Sequence, residues 1–363
     1  MKRIVPSFVL SLVLLACGPA AQPAICSADS YPDEGFAANA ADALALRTAL
    51  KNLNDPMKSA EASTAVTVTA AQLEALWTAG TPSLQSISAP GHRAVVSEVF
   101  TKFALASGNA WTPVDPAAGP GGVYGSWIFT AGGVDLRQLM EKGLFGGGHY
   151  AEAARLMTPA ATPADVDQML ALFGANPTFP MDDKAPTDPD VHTAVYAKRR
   201  TNPAAATPGP YLAIKAAFIS ARAATAGGAE CAPQRDAAFV TIREQWERTL
   251  LGTVVYYMTS SAMTLEKPAP TAAEKASALH GIGESIGFLR GLRALPASQR
   301  VIGDAELDQV LTTLGALTLD GAQAHRFVTD SAMTVDKLTA AISQIQAARH
   351  FSAEEINAFK LNY

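Results

Sequence analysis

The chain is poor in aromatic and charged residues, which make up 7% and 17% of its 363 positions. With 48% hydrophobic content, so little charge excludes a disordered chain, which has the opposite balance. A formal charge of −5 leaves no basic footprint, so nucleic acid is not an expected partner. Strand patterns are also lacking. β-rich runs such as Val66-Thr67-Val68 are too short to build a sheet. No His-Glu-x-x-His occurs, and Gly146-Gly147-Gly148 lacks the Lys-Ser/Thr and the preceding strand of a phosphate-binding loop. What remains is a chain of many alanines and few aromatics, suited to closely packed helices.

Only three cysteines are present, and each carries information. Lys2 and Arg3 precede the apolar run from Phe8 to Leu15, which is too short to span a membrane as a stable helix. The run ends Leu14-Leu15-Ala16-Cys17, the pattern of a bacterial lipoprotein signal with Cys17 as the lipidated residue. The alternative is a secretory signal cleaved near Ala20 or Ala21. Residues 1–17 are therefore read as the signal and 18–30 as a tether. Gly18 after the cysteine favours the outer membrane, with the protein facing the periplasm. In that oxidising compartment Cys26 and Cys231 suggest one disulfide, two unpaired thiols being the alternative.

Helical periodicity and caps predict helices over 37–53, 70–79 and 90–106, with Thr69 as a cap and Pro90 in a first turn. A Gly/Pro-rich loop follows over 111–125. After the Pro/Asp-rich connection 177–210, further helices are expected over 211–226, 239–265, 271–292, 304–317 and 335–349, with a last one capped at Ser352. An internal repeat aligns Val134–Gly146 with Val240–Gly252, and Ala164–Leu170 with Ala305–Leu311. The expected architecture is all-α, with two related helical halves over 31–176 and 211–363.

The stretch from Ala278 to Leu292 organises the rest. At about 100° per residue, His280, Glu284, Gly287 and Gly291 share one narrow sector, with Gly283 at its edge. Leu279, Ile282, Ile286, Phe288, Leu289 and Leu292 fill most of the remaining circumference, the pattern of a central, buried helix. Another backbone can approach closely along the glycine stripe. His280 and Glu284, at i and i+4, can share a proton or bind one metal. His149 and Glu152, at i and i+3, form a second such pair, and the two pairs together could complete one site. Otherwise each histidine fixes packing by a hydrogen bond to its glutamate or to a carbonyl. His92 with Glu98, Glu141 and Glu247 are further candidates. His325 and His350 sit near helix ends and read as superficial, and His192 lies in the connection. Arg290 and Arg293 could hold an anion.

Lys142-Gly143-Leu144-Phe145-Gly146, Glu244-Gln245-Trp246-Glu247-Arg248 with Tyr256-Tyr257, and Ala278-Leu279-His280 to Gly287-Phe288-Leu289 resemble a family of bacterial secreted lipoproteins of unknown function. That family is similar to the imelysin-like proteins, which are helical, built as two related bundles, and associated with iron acquisition and a proposed metallopeptidase activity. Gly147-x-His149-x-x-Glu152 matches the imelysin signature Gly-x-His-x-x-Glu, and the resemblance makes His149 and Glu152 candidate metal ligands. The functional expectation is a lipid-anchored binding protein in the cell envelope, for a metal such as iron or another divalent ion, or for a metal complex or other small molecule. His149, Glu152, His280 and Glu284 are its proposed contributors. A metal-dependent hydrolase and a structural or interaction lipoprotein are the alternatives.

Overall fold

The computed structural model describes residues 26–181, 189–205, 208–330 and 335–363, and the signal segment with Cys17 lies outside them. The described residues are mostly helical. The first part of the chain holds α1 (Phe36–Asn39), α2 (Ala41–Glu61), α3 (Ala70–Thr78), α4 (Leu84–Ile87) and α5 (Pro90–Ala106). A hairpin of β1 (Gly122–Tyr124) and β2 (Trp127–Phe129) leads to α6 (Leu136–Leu144), a π-helical turn over Phe145–Tyr150, α7 (Ala151–Leu156) and α8 (Pro163–Phe173). Then come α9 (His192–Arg199), α10 (Pro210–Ala226), α11 (Ala232–Leu265) and α12 (Ala272–Arg293). The last are α13 (Asp304–Thr313), α14 (Arg326–Thr329), α15 (Val335–Arg349) and α16 (Ala353–Phe359).

Local chemistry accounts for most boundaries. Thr69, Thr271 and Ser352 each close a capping box with a Gln or Glu three residues on, satisfying two backbone N–H groups reciprocally. Three elements differ from expectation. The hairpin was not anticipated, because three-residue strands give no alternation to count; its register pairs Tyr124 with Trp127 around Gly125, whose φ of 64° suits a two-residue turn. Helix α2 runs on through Pro56 to Glu61, and buried Met57, Ala60 and Glu61 offset the roughly 3 kcal/mol that an interior proline costs. The connection 177–210 contains a helix, α9.

The buried apolar side chains form one cluster running from Tyr31 to Phe359, so both halves of the sequence share a core. Its centre is α12, which lies along α11 on one side and against α6 on the other. The α6 contact is glycine against backbone. A Cβ at Gly287 would lie 2.5 Å from the Gln138 carbonyl oxygen, and one at Gly291 would lie 2.4 Å from that of Gly143. The repeat-matched segments are helical except for Val134 and Asp135, but in different settings. Leu136 starts a helix behind its cap Asp135, whereas the aligned Ile242 lies inside α11.

A disulfide joins Cys26 to Cys231, 205 residues apart, and fastens the start of the described chain to the turn between α10 and α11. Cross-linking so long a loop chiefly restricts the unfolded chain. Cys26→Ser should therefore lower unfolding free energy by about 2–5 kcal/mol, read by denaturant titration without reductant. Adding reductant should bring the wild type to the same value and leave the variant unchanged. At the seam, Gly291→Ala should cost about 2–3 kcal/mol in the same assay, because its methyl meets backbone that cannot rotate away.

Candidate functional site

Where α12 crosses the start of α6, the glycine seam brings together seven ionisable side chains. Asp135 is the N-cap of α6: one carboxylate oxygen accepts from the Gln138 N–H (3.0 Å), and the other accepts from His280 Nδ1 on α12 (2.8 Å). A Cβ at Gly283 would lie 2.6 Å from that of Asp135, so this approach too needs a glycine. His280 Nε2 lies 3.8 Å from Glu284, and Glu284 lies 3.4 Å from Lys142 Nζ. Lys142 neighbours Glu141 at 3.6 Å, Glu141 pairs with Arg137 at 2.7 Å, and Arg137 pairs with Glu61 at 2.6 Å. Trp127, delivered by the hairpin, stacks on the His280 ring with centroids 4.5 Å apart and planes 18° from parallel.

The electrostatics follow from burial. Four carboxylates face three cations, His280 included, which leaves one excess negative charge when all are ionised. Burial, reinforced by the Asp135 charge and opposed by Arg137, raises the Glu61 pKa to about 7, so a proton removes that excess near neutrality. Burial alone would lower the His280 pKa. The hydrogen bond and charge of Asp135, with the charge of Glu284, outweigh it and raise the value. Lys142 is raised in the same way, burial losing to Glu141 and Glu284. His280 reaches solvent, with 20% of its side chain exposed, at the rim of a groove of about 140 Å³. Tyr256, Tyr257, Ser260, Ser261, Thr264 and Ser277 line the groove beside it. Ser261 Oγ donates to the Ala278 carbonyl (3.0 Å) and Thr264 Oγ1 to that of Ser260 (2.9 Å), so both hydroxyl oxygens keep their acceptor capacity.

The four residues expected to converge do not. His280 and Glu284 are neighbours in this network, but His149 lies elsewhere. The turn that carries it packs on the far part of α12, its Gly146 against Gly291, which lies eleven residues and so roughly 16 Å along the helix from His280. Nor does His149 share a face with Glu152. The turn carrying it is π-helical, with i→i+5 bonding that shifts the register, and Gly146 packs on Gly291. The Gly147 carbonyl accepts from the Ala89 N–H instead (2.7 Å). Glu152 turns outward to Arg155, at 2.5 and 2.8 Å, while His149 is 1% exposed beside Phe145 and His192. Among the described residues, no group of three or more His, Cys, Asp or Glu has the arrangement to hold a metal ion.

Comparison with known proteins found no match. No family model, no curated protein and no solved structure resembles the chain at a significant level.

Other candidates have structural partners. Glu247 accepts from the Val301 and Ile302 N–H groups and from Tyr150 OH, pinning the loop before α13. Glu98 lies by Lys102 (3.7 Å), while His92 is packed against Gly143 and Gly147. His325, read as superficial, is buried at 2% exposure, its Nε2 3.5 Å from Asp115. Arg290 and Arg293 line a cavity of about 310 Å³. There Arg293 is already paired with Asp304 and Asp308, and Arg290 with the Ala316 carbonyl. Gly283-Glu284-Ser285-Ile286-Gly287 has the Gly-x-Ser-x-Gly spacing, but it lies inside α12. Ser285 is fully buried and donates to the Gly281 carbonyl, so it forms no nucleophile elbow. Sequence reasoning missed Asp135 and Trp127 as partners of His280. The capping pattern of Asp135 before Leu136 was visible, although its second role was not.

Glu61 gives this site a pH signature. Its folded pKa, about 7, exceeds the ordinary value of 4.5, so its stabilising contribution is complete below pH 4.5 and is lost as pH rises through 7. Glu61→Gln, which keeps a neutral side chain, should gain on the wild type by up to about 3 kcal/mol between pH 4.5 and 8, measured by urea unfolding across that range. A constant difference between the two proteins would show that folding leaves the Glu61 pKa at its ordinary value.

Proposed function

We propose that the protein is a lipid-anchored binding protein of the bacterial envelope, held at Cys17 on the periplasmic face of the outer membrane, whose small polar ligand docks in the groove beside His280. One observation carries this reading: a half-buried histidine, oriented by Asp135 and braced by Trp127, stands where a buried charge network meets a hydroxyl-lined groove. A metal complex fits those residues better than a bare ion. Hydroxyl oxygens and His280 can hydrogen-bond the outer atoms of a complex without entering its coordination sphere. Iron acquisition and the two-bundle, duplicated architecture of imelysin-like proteins belong to the same proposal. Among the described residues no helix is long and apolar enough to cross a membrane; the anchor in this reading is the lipid on Cys17, which lies outside them.

A hydrolase is the second reading, and the Asp135–His280 pair favours it. Asp135 holds Nδ1 and leaves Nε2 to accept a proton, which is how a general base is oriented. The metal-dependent form also needs ligands around a reacting water, and His149, Glu152, His280 and Glu284 do not converge to supply them.

Thermal unfolding of the full-length protein with iron(III) citrate tests the first reading. The complex should raise the midpoint, stabilisation reaching about 2.7 kcal/mol at 100 times Kd. Ser277→Trp, at an exposed position on the groove wall, should abolish that rise and leave the unliganded midpoint nearly unchanged. An equal rise with free iron or zinc would point to a bare-ion site instead, and a rise that survives Ser277→Trp would remove the groove from the proposal.

A further inference from the structure

The cavity of about 310 Å³ at the C-terminal part of α12 is lined by an arginine whose donors are only partly used. Arg290 is partly buried, and its Nη1 donates to the Ala316 and Leu317 carbonyls at 3.3 and 3.4 Å. Those two contacts fix the plane of the guanidinium. Nε and Nη2 make no hydrogen bond among the described residues, and neither is shut away in the interior. They form the side of the guanidinium whose parallel N–H groups match the two oxygens of an oxyanion.

The surrounding charges leave Arg290 without a counter-ion. Arg293, on the same wall, pairs with Asp308 at 2.8 Å and with Asp304 at 3.1 Å, and Arg300 also pairs with Asp304. Three arginines thus face two aspartates, and the charge left over is that of Arg290. Burial lowers its pKa, opposed by the charge of Glu98, which itself lies by Lys102 at 3.7 Å. An arginine stays protonated even so. Gly91 brings the first turn of α5 to the cavity wall. That 17-residue helix has neither a capping side chain nor an acidic residue in its first turn, so its positive end adds to the same field.

The walls choose among anions. Val95, Leu311 and Leu317 give the cavity an apolar side that inorganic phosphate would leave unfilled. Asp308 lines it too, and its carboxylate repels the second charge of a dianion. We propose that this cavity binds a monocarboxylate with a short apolar tail, the carboxylate bridging Nε and Nη2 of Arg290 and the tail lying on Val95, Leu311 and Leu317. Binding is non-covalent, so no bond forms or breaks. Arg290 lies roughly 15 Å along α12 from His280, and this site does not depend on the ligand proposed for the groove there.

Calorimetric titration of the full-length protein with sodium hexanoate, at fixed ionic strength, tests the assignment. One hexanoate should bind per chain, with hexanol and inorganic phosphate at least about 10-fold weaker. Arg290→Gln should weaken hexanoate binding by about 10- to 100-fold, the loss expected for hydrogen bonds to a charged group. Arg290→Lys, which keeps the charge without the fork, should recover only part of that loss. Leu317 is 47% exposed, so its substitution should spare the fold. Leu317→Lys should bind hexanoate several-fold more tightly than Leu317→Glu. Ser277→Trp, in the groove at His280, should leave hexanoate binding unchanged. No binding, equal binding of hexanol, tighter binding of phosphate, loss in Ser277→Trp, or an affinity unchanged in Arg290→Gln would each overturn the assignment. Should Arg290→Gln fail to fold, the two Leu317 variants decide the matter.

Discussion

The backbone-to-backbone seam between α6 and α12 is the constraint on which the rest of the molecule depends. It exists because positions 283, 287 and 291 carry no side chain, and each places a backbone where a methyl group would collide. That intimacy fixes the register of the two helices. Slipping α12 by one turn, about 5.4 Å, would part His280 from Asp135 and Glu284 from Lys142 together. The buried charges are weak grounds for stability, since desolvation of ions commonly cancels their attraction. Their arrangement matters more for register: in this alignment of the seam each charge has a partner.

Two sets of histidines show how local company sets opposite chemistry in one core. His280 is buried but has a carboxylate on either side, and its basicity rises. His92, His149 and His192 are buried among apolar groups and cations, and their basicity falls. Burial is common to all four. The nearest charge decides the sign. The first therefore suits proton exchange with something in the groove, and the others stay neutral.

Much of this frame was legible in the sequence. The glycine sector, the i, i+4 spacing of His280 and Glu284 and the capping boxes follow from short-range pattern, and the disulfide from the count of cysteines left in an oxidising compartment. The identity of the neighbours was hidden. Nothing in one sequence says that the backbone facing the glycine stripe is that of α6, so Asp135 and Lys142 could not be assigned to His280 and Glu284. Trp127 reaches His280 from a hairpin too short for periodicity to register. His149 and Glu152 illustrate the converse error. Their spacing implies one face on an α-helix, but three glycines allow a π turn that separates them. The partner His149 does have, His192, is 43 positions away in a segment that composition marks only as a connection.

The Cys26–Cys231 bond has a mechanical consequence. A pull applied before Cys26 does not load α1 and α2 first and strip them from the core one after another. The covalent link carries the force straight to the start of α11, the 34-residue helix that runs beside α12. The whole of 27–230 is then a closed loop outside the line of tension. The helices that supply Glu61, Asp135 and Lys142 stay unloaded while the chain end is under strain.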